Sequence, residues 1–119
     1  MSLAVVDRND VVLRGRLFAA PEQRVLPSGD KLLVFKVVVR RDDPRPRGPK
    51  IDTITCVSSA PSLARHALAW AADDLVEVEG ALQRRFWRTA SGTAVAYEVN
   101  CRRGRKVSRA GARSPARTA

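Results

Sequence analysis

Residues 74–87, DLVEVEGALQRRFW, are the stretch that decides the fold of this chain. Apolar and acidic residues alternate in its first half, as in a half-buried β-strand, and its second half is basic and aromatic. Side chains of a strand point alternately to its two faces. The stretch therefore predicts one long strand with a two-sided tip, with Gln83, Arg85 and Trp87 on one face and Arg84, Phe86 and Arg88 on the other.

The tip has a chemistry suited to unpaired nucleotides. Arg85 and Trp87 are two residues apart on one predicted face, so a cation that can hold a phosphate lies beside an indole that can stack on a base. This pattern favours binding of single-stranded nucleic acid. The alternative is a strand end with a solvated arginine pair and a half-buried tryptophan.

The rest of the chain predicts four more strands and one helix. Alternating apolar positions, turn residues at 27–30 and a proline that opens the helix mark these elements. They are a strand at 11–17, a strand at 31–41 with residues 22–26 pairing before its turn, a strand at 52–58, a helix from Pro61 through Ala72, and a last strand at 94–102. Gly15, inside the first strand, suggests a bulge or a tight bend.

The order of these elements predicts the fold class. Three strands, a helix and two further strands is the order of the all-β, five-stranded oligonucleotide-binding (OB) barrel, with the one helix between strands 3 and 4. In this barrel the helix would close one end. The stripe of Leu63, Ala67 and Trp70 on that helix favours the core as the place of Trp70.

Charge is distributed unevenly along the chain. The net charge is +10, from 22 Lys and Arg against 12 Asp and Glu, and residues 102–119 alone hold seven basic and no acidic side chains. We therefore expect an OB domain at residues 1–103 and a basic, disordered tail at 104–119, which would attract polyanions or simply aid solubility.

Basic residues outside the tail complete a predicted binding groove. Residues 42–50 form a Pro-rich basic loop, which can be functional or a mobile hairpin tip. The predicted nucleic-acid-binding residues are Trp87 for stacking, with Arg85, Arg14, Arg16, Lys36 and Arg40 along the phosphates and Arg45, Arg47 and Lys50 closing over the strand.

Other functional classes find little support in the sequence. No apolar run is long enough for a membrane span and the start lacks a secretory pattern, so we expect a cytoplasmic, nucleoid-associated protein that does not engage a membrane. Cys56 and Cys101 have no metal-type spacing and are expected to be reduced. His66, the one histidine, has no catalytic partner, so we expect no enzyme, no catalytic residue, no cofactor and no metal.

The chain also resembles the bacterial single-stranded DNA-binding protein family of the replication type, over roughly residues 9–103. The matching segments are 9–17 (NDVVLRGRL), Pro21-Glu22, Pro27-Ser28-Gly29, Leu63-Ala64, 76–82 (VEVEGAL) continuing to Trp87, Ser91-Gly92 and Glu98-Val99. The resemblance implies an OB barrel, a homotetramer and wrapping of single-stranded DNA without sequence preference. In it the first strand would supply interface contacts, although Val5, Val6, Val11 and Leu13 could equally be core.

Two departures from that family are visible. Its other stacking aromatics are replaced by Arg40 or Arg41, Ile54 and Ala60, so only Trp87 matches a stacking position. The chain given ends in SPARTA rather than in the family's acidic tip, so recruitment of partner enzymes through such a tip is not supported.

The sequence thus predicts a non-enzymatic binder of single-stranded DNA that acts in replication, recombination or repair. Its expected partners are single-stranded DNA, further copies of itself in a homo-oligomer (a tetramer or a dimer), and replication or repair proteins. Two alternatives stay open. One is an OB-fold interaction module of a replication or primosome complex with weak or no DNA binding, and the other is an RNA-binding barrel.

Overall fold

The computed structural model describes residues 6–42 and 45–111 of the 119-residue chain. In these ranges the chain forms six strands and one helix. They are β1 Val11–Leu17, β2 Glu22–Val25, β3 Lys31–Arg40, β4 Ile51–Ser58, α1 Pro61–Ala67, β5 Leu75–Thr89 and β6 Gly92–Ser108.

Five of the strands close into a barrel. The sheet order is β1-β5-β6-β4-β3-β2, and an additional β1–β3 pairing closes the ring, so β2 lies outside it as one arm of a hairpin with β3. Every pairing is antiparallel except that of β4 with β6. Closure removes the exposed sheet edges. The prediction of an all-β, five-stranded OB barrel with one helix between its third and fourth strands is confirmed.

Alternation along each strand fills the barrel. Leu33, Phe35 and Val37 of β3 and Val76 and Val78 of β5 point inward and are buried. The helix adds Leu63 and Ala67 to this core, and Trp70, just beyond the helix, packs edge-on against Phe35 with ring centroids 5.9 Å apart. The prediction that Trp70 belongs to the core is confirmed. Val11 and Leu13 also pack against the core, whereas Val6 is exposed and Val5 lies outside the described residues.

Two glycines allow the strands to approach closely. A Cβ atom on Gly15 would lie 2.2 Å from the carbonyl oxygen of Val38, beside the Arg16–Val38 pairing that joins β1 to β3. A Cβ atom on Gly80 would lie 2.0 Å from the carbonyl oxygen of Asn100. Gly15, where the sequence suggests a bulge or a tight bend, therefore lies where β1 and β3 approach closely to close the barrel.

The last strand is longer than predicted. β6 continues to Ser108, so residues 104–108 belong to the barrel and not to a tail. Arg103 and Arg105 pair with Glu79 and Glu77 of β5, while Gly104 lies against Val78, where a side chain would clash. Arg103 and Arg105 thus share the outer face with Glu79 and Glu77, and Gly104 between them faces the core, as expected for a strand. Residues 112–119 of the predicted tail lie outside the described residues, so the character of that segment stays a prediction.

The helix is shorter than predicted. It ends at Ala67 instead of Ala72, with Leu68 as its C-cap, because the chain then turns to place Trp70 in the core. His66 joins this helix to the barrel, since its Nε2 donates to the carbonyl oxygen of Gly104 at 2.9 Å. In the part of the chain that the structure describes, no helix is long and apolar enough to cross a membrane.

The two cysteines are free thiols inside the barrel. Cys56 and Cys101 are both buried. The pKa of the Cys56 thiol is raised, first by its hydrogen bond with Cys101 and then by burial. Among the described residues, no group of three or more His, Cys, Asp or Glu side chains could hold a metal ion.

Candidate nucleic-acid interface

Strands β5 and β6 continue past the barrel as a projecting hairpin. They pair without a break from Gly80–Cys101 to Thr89–Gly92, and the side chains from residue 84 to residue 95 are largely exposed. One surface, which we call the tryptophan face, carries Gln83, Arg85, Trp87, Ala94, Ala96 and Glu98. The opposite surface, which we call the phenylalanine face, carries Leu82, Arg84, Phe86, Val95 and Tyr97. The predicted division of the tip into two faces is confirmed.

The tryptophan face holds an indole and a guanidinium in contact. Cζ of Arg85 lies 4.5 Å from the centroid of the Trp87 ring, and Trp87 is 40% exposed. Nε of Arg85 also donates to Oε1 of Glu98 at 2.8 Å, and Glu98 is buried. Glu98 therefore holds the guanidinium over the ring, while the exposed part of the indole can stack on a base.

The parallel pairing of β4 with β6 brings the basic loop to the end of the barrel from which this hairpin projects. Cys56 pairs with Val99, and the two strands run in the same direction, so the start of β4 lies at the same end as the start of β6. Trp87 pairs with Ala94 near the start of β6, and Arg40 pairs with Ile51 at the start of β4.

Four of the predicted cationic residues therefore lie at or near this end. Arg40 ends β3, and the loop that follows it presents Arg45, Arg47 and Lys50 as exposed side chains. Asp43 and Pro44, in the same loop, lie outside the described residues. Lys36 is further back on the outer surface of β3, opposite Thr55 of β4. The fold thus places Trp87, Arg85, Arg40 and the loop cations at one end of the barrel, with Lys36 further back on β3.

Arg14 does not join this group. It lies directly opposite Glu77, with its guanidinium 2.9 Å from Oε2, and Arg105 contacts the other carboxylate oxygen at 3.2 Å. The hydrogen bond from Arg14, together with that from Arg105, lowers the pKa of Glu77. Glu77 precedes Trp87 by ten residues of one strand, which corresponds to about 30 Å. Arg14 is therefore neutralised locally and remote from the indole.

Arg16 occupies an intermediate position. It is half-buried on β1, opposite Val38 of β3, and donates to the backbone carbonyl of Asp73 at 3.2 Å. It thus borders the outer surface of β3 that carries Lys36 and Arg40. Of the two cationic residues predicted on β1, Arg16 therefore adjoins the cations of β3 and Arg14 does not.

Sequence reasoning missed two exposed aromatic groups. Phe18, just after β1, is largely exposed, and Nζ of Lys36 lies 5.8 Å from its ring centroid. Phe86 and Tyr97 are exposed on the phenylalanine face. The period of two placed Phe86 on the face opposite Trp87, but only the pairing of Arg84 with Tyr97 shows that the rings of Phe86 and Tyr97 lie on one surface.

Fold and surface together define the class of the protein as an OB barrel with a cationic, aromatic edge. No family model matches the chain, and no curated protein sequence matches it. Among solved structures, the Plasmodium falciparum SSB in complex with ssDNA is similar, with a TM-score of 0.69 and 22% sequence identity. The match covers 87% of this chain and 96% of that one. At this identity the likeness establishes the fold.

Proposed function

We propose that this protein binds single-stranded DNA without sequence preference, by stacking a base on Trp87 and holding the neighbouring phosphates with cations. The observation that carries the proposal is the half-exposed indole with Arg85 over its ring, on a hairpin that projects from the end of the barrel that also carries Arg40 and the basic loop. A barrel of similar fold has been solved with ssDNA, which supports the choice of ligand.

The expected energetics are those of stacking with electrostatic attraction. Stacking contributes about 1–3 kcal/mol per base and tolerates any sequence, because every base has a π-face. Phosphate contacts add affinity that falls linearly with the logarithm of salt concentration. In the described ranges 6–42 and 45–111, no carboxylate lies within ion-pair distance of Lys36 or Arg40, so both cations can pair with phosphates.

A titration of a dye-labelled dT oligomer, followed by the fluorescence anisotropy of the dye, tests the stacking role, because it measures affinity also in variants that lack the Trp87 indole. In the wild type, quenching by the oligomer is a second signal that reports chiefly on Trp87, since Trp70 is buried against Phe35. We expect Trp87→Ala to weaken binding by about 5- to 100-fold and Trp87→Phe to recover part of that loss. Unchanged affinity in Trp87→Ala would refute the role.

A salt titration tests the cations, with a matched pair of arginines. Arg40→Ala should reduce the slope of log affinity against log salt by about 0.7, the value for one phosphate contact on a single strand. Arg14→Ala should change the slope less, because Arg14 already has Glu77 as its counter-charge. Equal effects of the two substitutions would show that the groove continues along β1 to Arg14.

The biological setting that we propose is replication, recombination or repair in the cytoplasm, at the nucleoid, as a homo-oligomer (tetramer or dimer) together with other replication or repair proteins. The resemblance described above is the support for this setting. Light scattering of the purified chain, with and without dT oligomer, measures the mass, and a monomer in both conditions would contradict the oligomeric part.

One observation favours a second candidate, an OB-fold interaction module that binds mainly a protein. Ile54 and Ala60, at two positions where stacking aromatics are replaced, pack against the core and offer no platform for a base. Retention of a replication or repair protein without DNA, together with no detectable shift of a dT oligomer, would establish this alternative. Competition between matched dT and rU oligomers separates DNA binding from RNA binding.

A further inference from the structure

The phenylalanine face of the hairpin is an exposed aromatic surface without a function in the mechanism above. Its four apolar side chains, Leu82, Phe86, Val95 and Tyr97, are between 46% and 62% exposed. They continue the inward-facing positions of the barrel strands, which are buried at Val99 and Cys101 and become open to solvent as the hairpin leaves the barrel. This side of the hairpin has no barrel strand against which to pack.

A cation lies within this aromatic surface. Cζ of Arg84 is 4.3 Å from the centroid of the Phe86 ring, and Tyr97 is the cross-strand partner of Arg84. The tryptophan face has the same arrangement, in which Arg85 lies 4.5 Å from the Trp87 centroid. The two faces differ in one respect. Glu98 neutralises Arg85, whereas the phenylalanine face, as the described residues Leu82, Arg84, Phe86, Val95 and Tyr97 define it, includes no carboxylate.

We propose that the phenylalanine face is a second binding surface for single-stranded DNA, on which Phe86 and Tyr97 stack on bases while Arg84 pairs with a phosphate. This inference rests on the proposed function, and it extends the contact from one face of the hairpin to both. Two segments of the bound single-stranded DNA then enclose the hairpin, one on each face.

The charge of the face decides between DNA and a protein as the occupant. An apolar protein surface laid on this face would take the Arg84 guanidinium out of water with no carboxylate of this chain to pair with it, which is costly. A nucleic acid supplies a phosphate for the guanidinium and flat bases for the rings, and base stacking does not require the guanidinium to be buried.

The test compares the double variant Phe86→Ala/Tyr97→Ala with the wild type and with Val25→Ala, an exposed apolar truncation on β2 that lies outside the hairpin and removes no ring. Binding of a dT oligomer is followed by Trp87 fluorescence, and thermal unfolding confirms that each variant is folded. We expect the double variant to bind about tenfold more weakly or worse while still quenching Trp87 at saturation. Val25→Ala should bind like the wild type, and Tyr97→Phe should retain most of the affinity.

A second measurement does not depend on substitution. Ultraviolet cross-linking of the wild type to the dT oligomer, mapped by mass spectrometry, should give adducts at Phe86 or Tyr97 in addition to Trp87.

The failures of the two proposals are distinguishable. If the wild type neither binds dT nor shows quenching, the proposed function itself fails. If Trp87→Ala weakens binding but the double variant does not, or if cross-links occur on the tryptophan face alone, the second surface is refuted and the first stands. A loss in Val25→Ala equal to that of the double variant would refute stacking on this face, because the loss would not be specific to the rings. Retention of a protein through Phe86 and Tyr97 in the absence of DNA would replace DNA with a protein partner.

Discussion

The buried carboxylate of Glu98 accepts a hydrogen bond from Nε of Arg85 at 2.8 Å, and this contact determines where the arginine lies over Trp87. A charge buried at the base of the hairpin thus orients a cation near the indole. The same arginine therefore serves stability, by satisfying Glu98, and the proposed binding, by lying against the ring.

Removal of Arg85 should destabilise the fold more than removal of its neighbour. Arg85→Ala leaves the Glu98 carboxylate buried without its partner, and we expect the free energy of unfolding to fall by about 1–3 kcal/mol. Arg84→Ala is the matched control, because Arg84 lies on the opposite, exposed face. Urea denaturation measures the free energy of unfolding of both variants. Equal midpoints for the two variants would show that the Arg85–Glu98 contact contributes nothing.

Closure of the barrel should fail when Gly15 gains a side chain. The new Cβ of Gly15→Ala would lie 2.2 Å from the backbone oxygen of Val38, so β1 and β3 must separate. We expect a loss of about 1–3 kcal/mol or more, the range for overpacked cores. In Gly48→Ala, in the exposed loop, the new Cβ would lie 3.2 Å from Cβ of Arg45 and 3.7 Å from its backbone oxygen, so this substitution should cost much less. Thermal unfolding that is the same in both variants would contradict the close approach.

Acid should weaken the fold partly through Asp74. Its carboxylate is buried and accepts hydrogen bonds from the backbone N–H groups of Ala71 at 2.8 Å and Ala110 at 2.7 Å, with Lys106 at 3.5 Å. These contacts lower the pKa of the Asp74 carboxyl. The hydrogen bond from the N–H of Ala71 contributes most, followed by the N–H of Ala110 and the charge of Lys106.

The sign of this pH effect follows from the lowered pKa. In the unfolded chain the Asp74 carboxyl has its ordinary pKa of about 3.9. The stabilisation is therefore complete above that value and is lost as the pH falls through the lower, folded pKa. Urea denaturation between neutral pH and pH 3 should show less acid destabilisation in Asp74→Asn than in the wild type. An identical pH dependence would exclude Asp74 as a contributor.

Two truncations should separate the last strand from the terminal segment. Ending the chain after Arg103 removes the last five residues of β6 and two of the partners of Asp74, Lys106 and the Ala110 N–H, so the melting temperature should fall markedly. Ending it after Gly111 removes only Arg113 and Arg117 from the cations, so the melting temperature should hold. Equal melting temperatures would show that residues 104–108 do not belong to the folded unit.

Much of the architecture could be predicted because a strand has a period of two. The alternation of residues 74–87 correctly placed Trp87 and Arg85 on one face, and the order of the elements predicted the closed barrel. The predicted end of β6 was wrong because an arginine-rich composition was interpreted as a tail. In the structure Arg103 and Arg105 alternate with Gly104 and Lys106, which lie opposite Val78 and Val76 of β5. The helix end was wrong because Trp70 reaches the core from a turn.

The candidate site was less predictable, since pairing of charges depends on neighbours that are distant in the chain. Arg14 and Arg40 look alike in sequence, yet Arg14 lies opposite Glu77, 63 residues later, and Arg40 lies opposite Ile51. The shared end of the hairpin and the basic loop likewise follows from the parallel pairing of β4 with β6, which no local pattern reveals.

The projecting hairpin and the barrel wall are built from the same two continuous strands. The tip is therefore joined to the wall through its own two strands, and the register shift between Glu79 and Gly80 lies where the hairpin begins. A ligand that binds the tip would act on the closed ring through this irregular step in the ladder, so Gly80 is where the two parts of β5 meet.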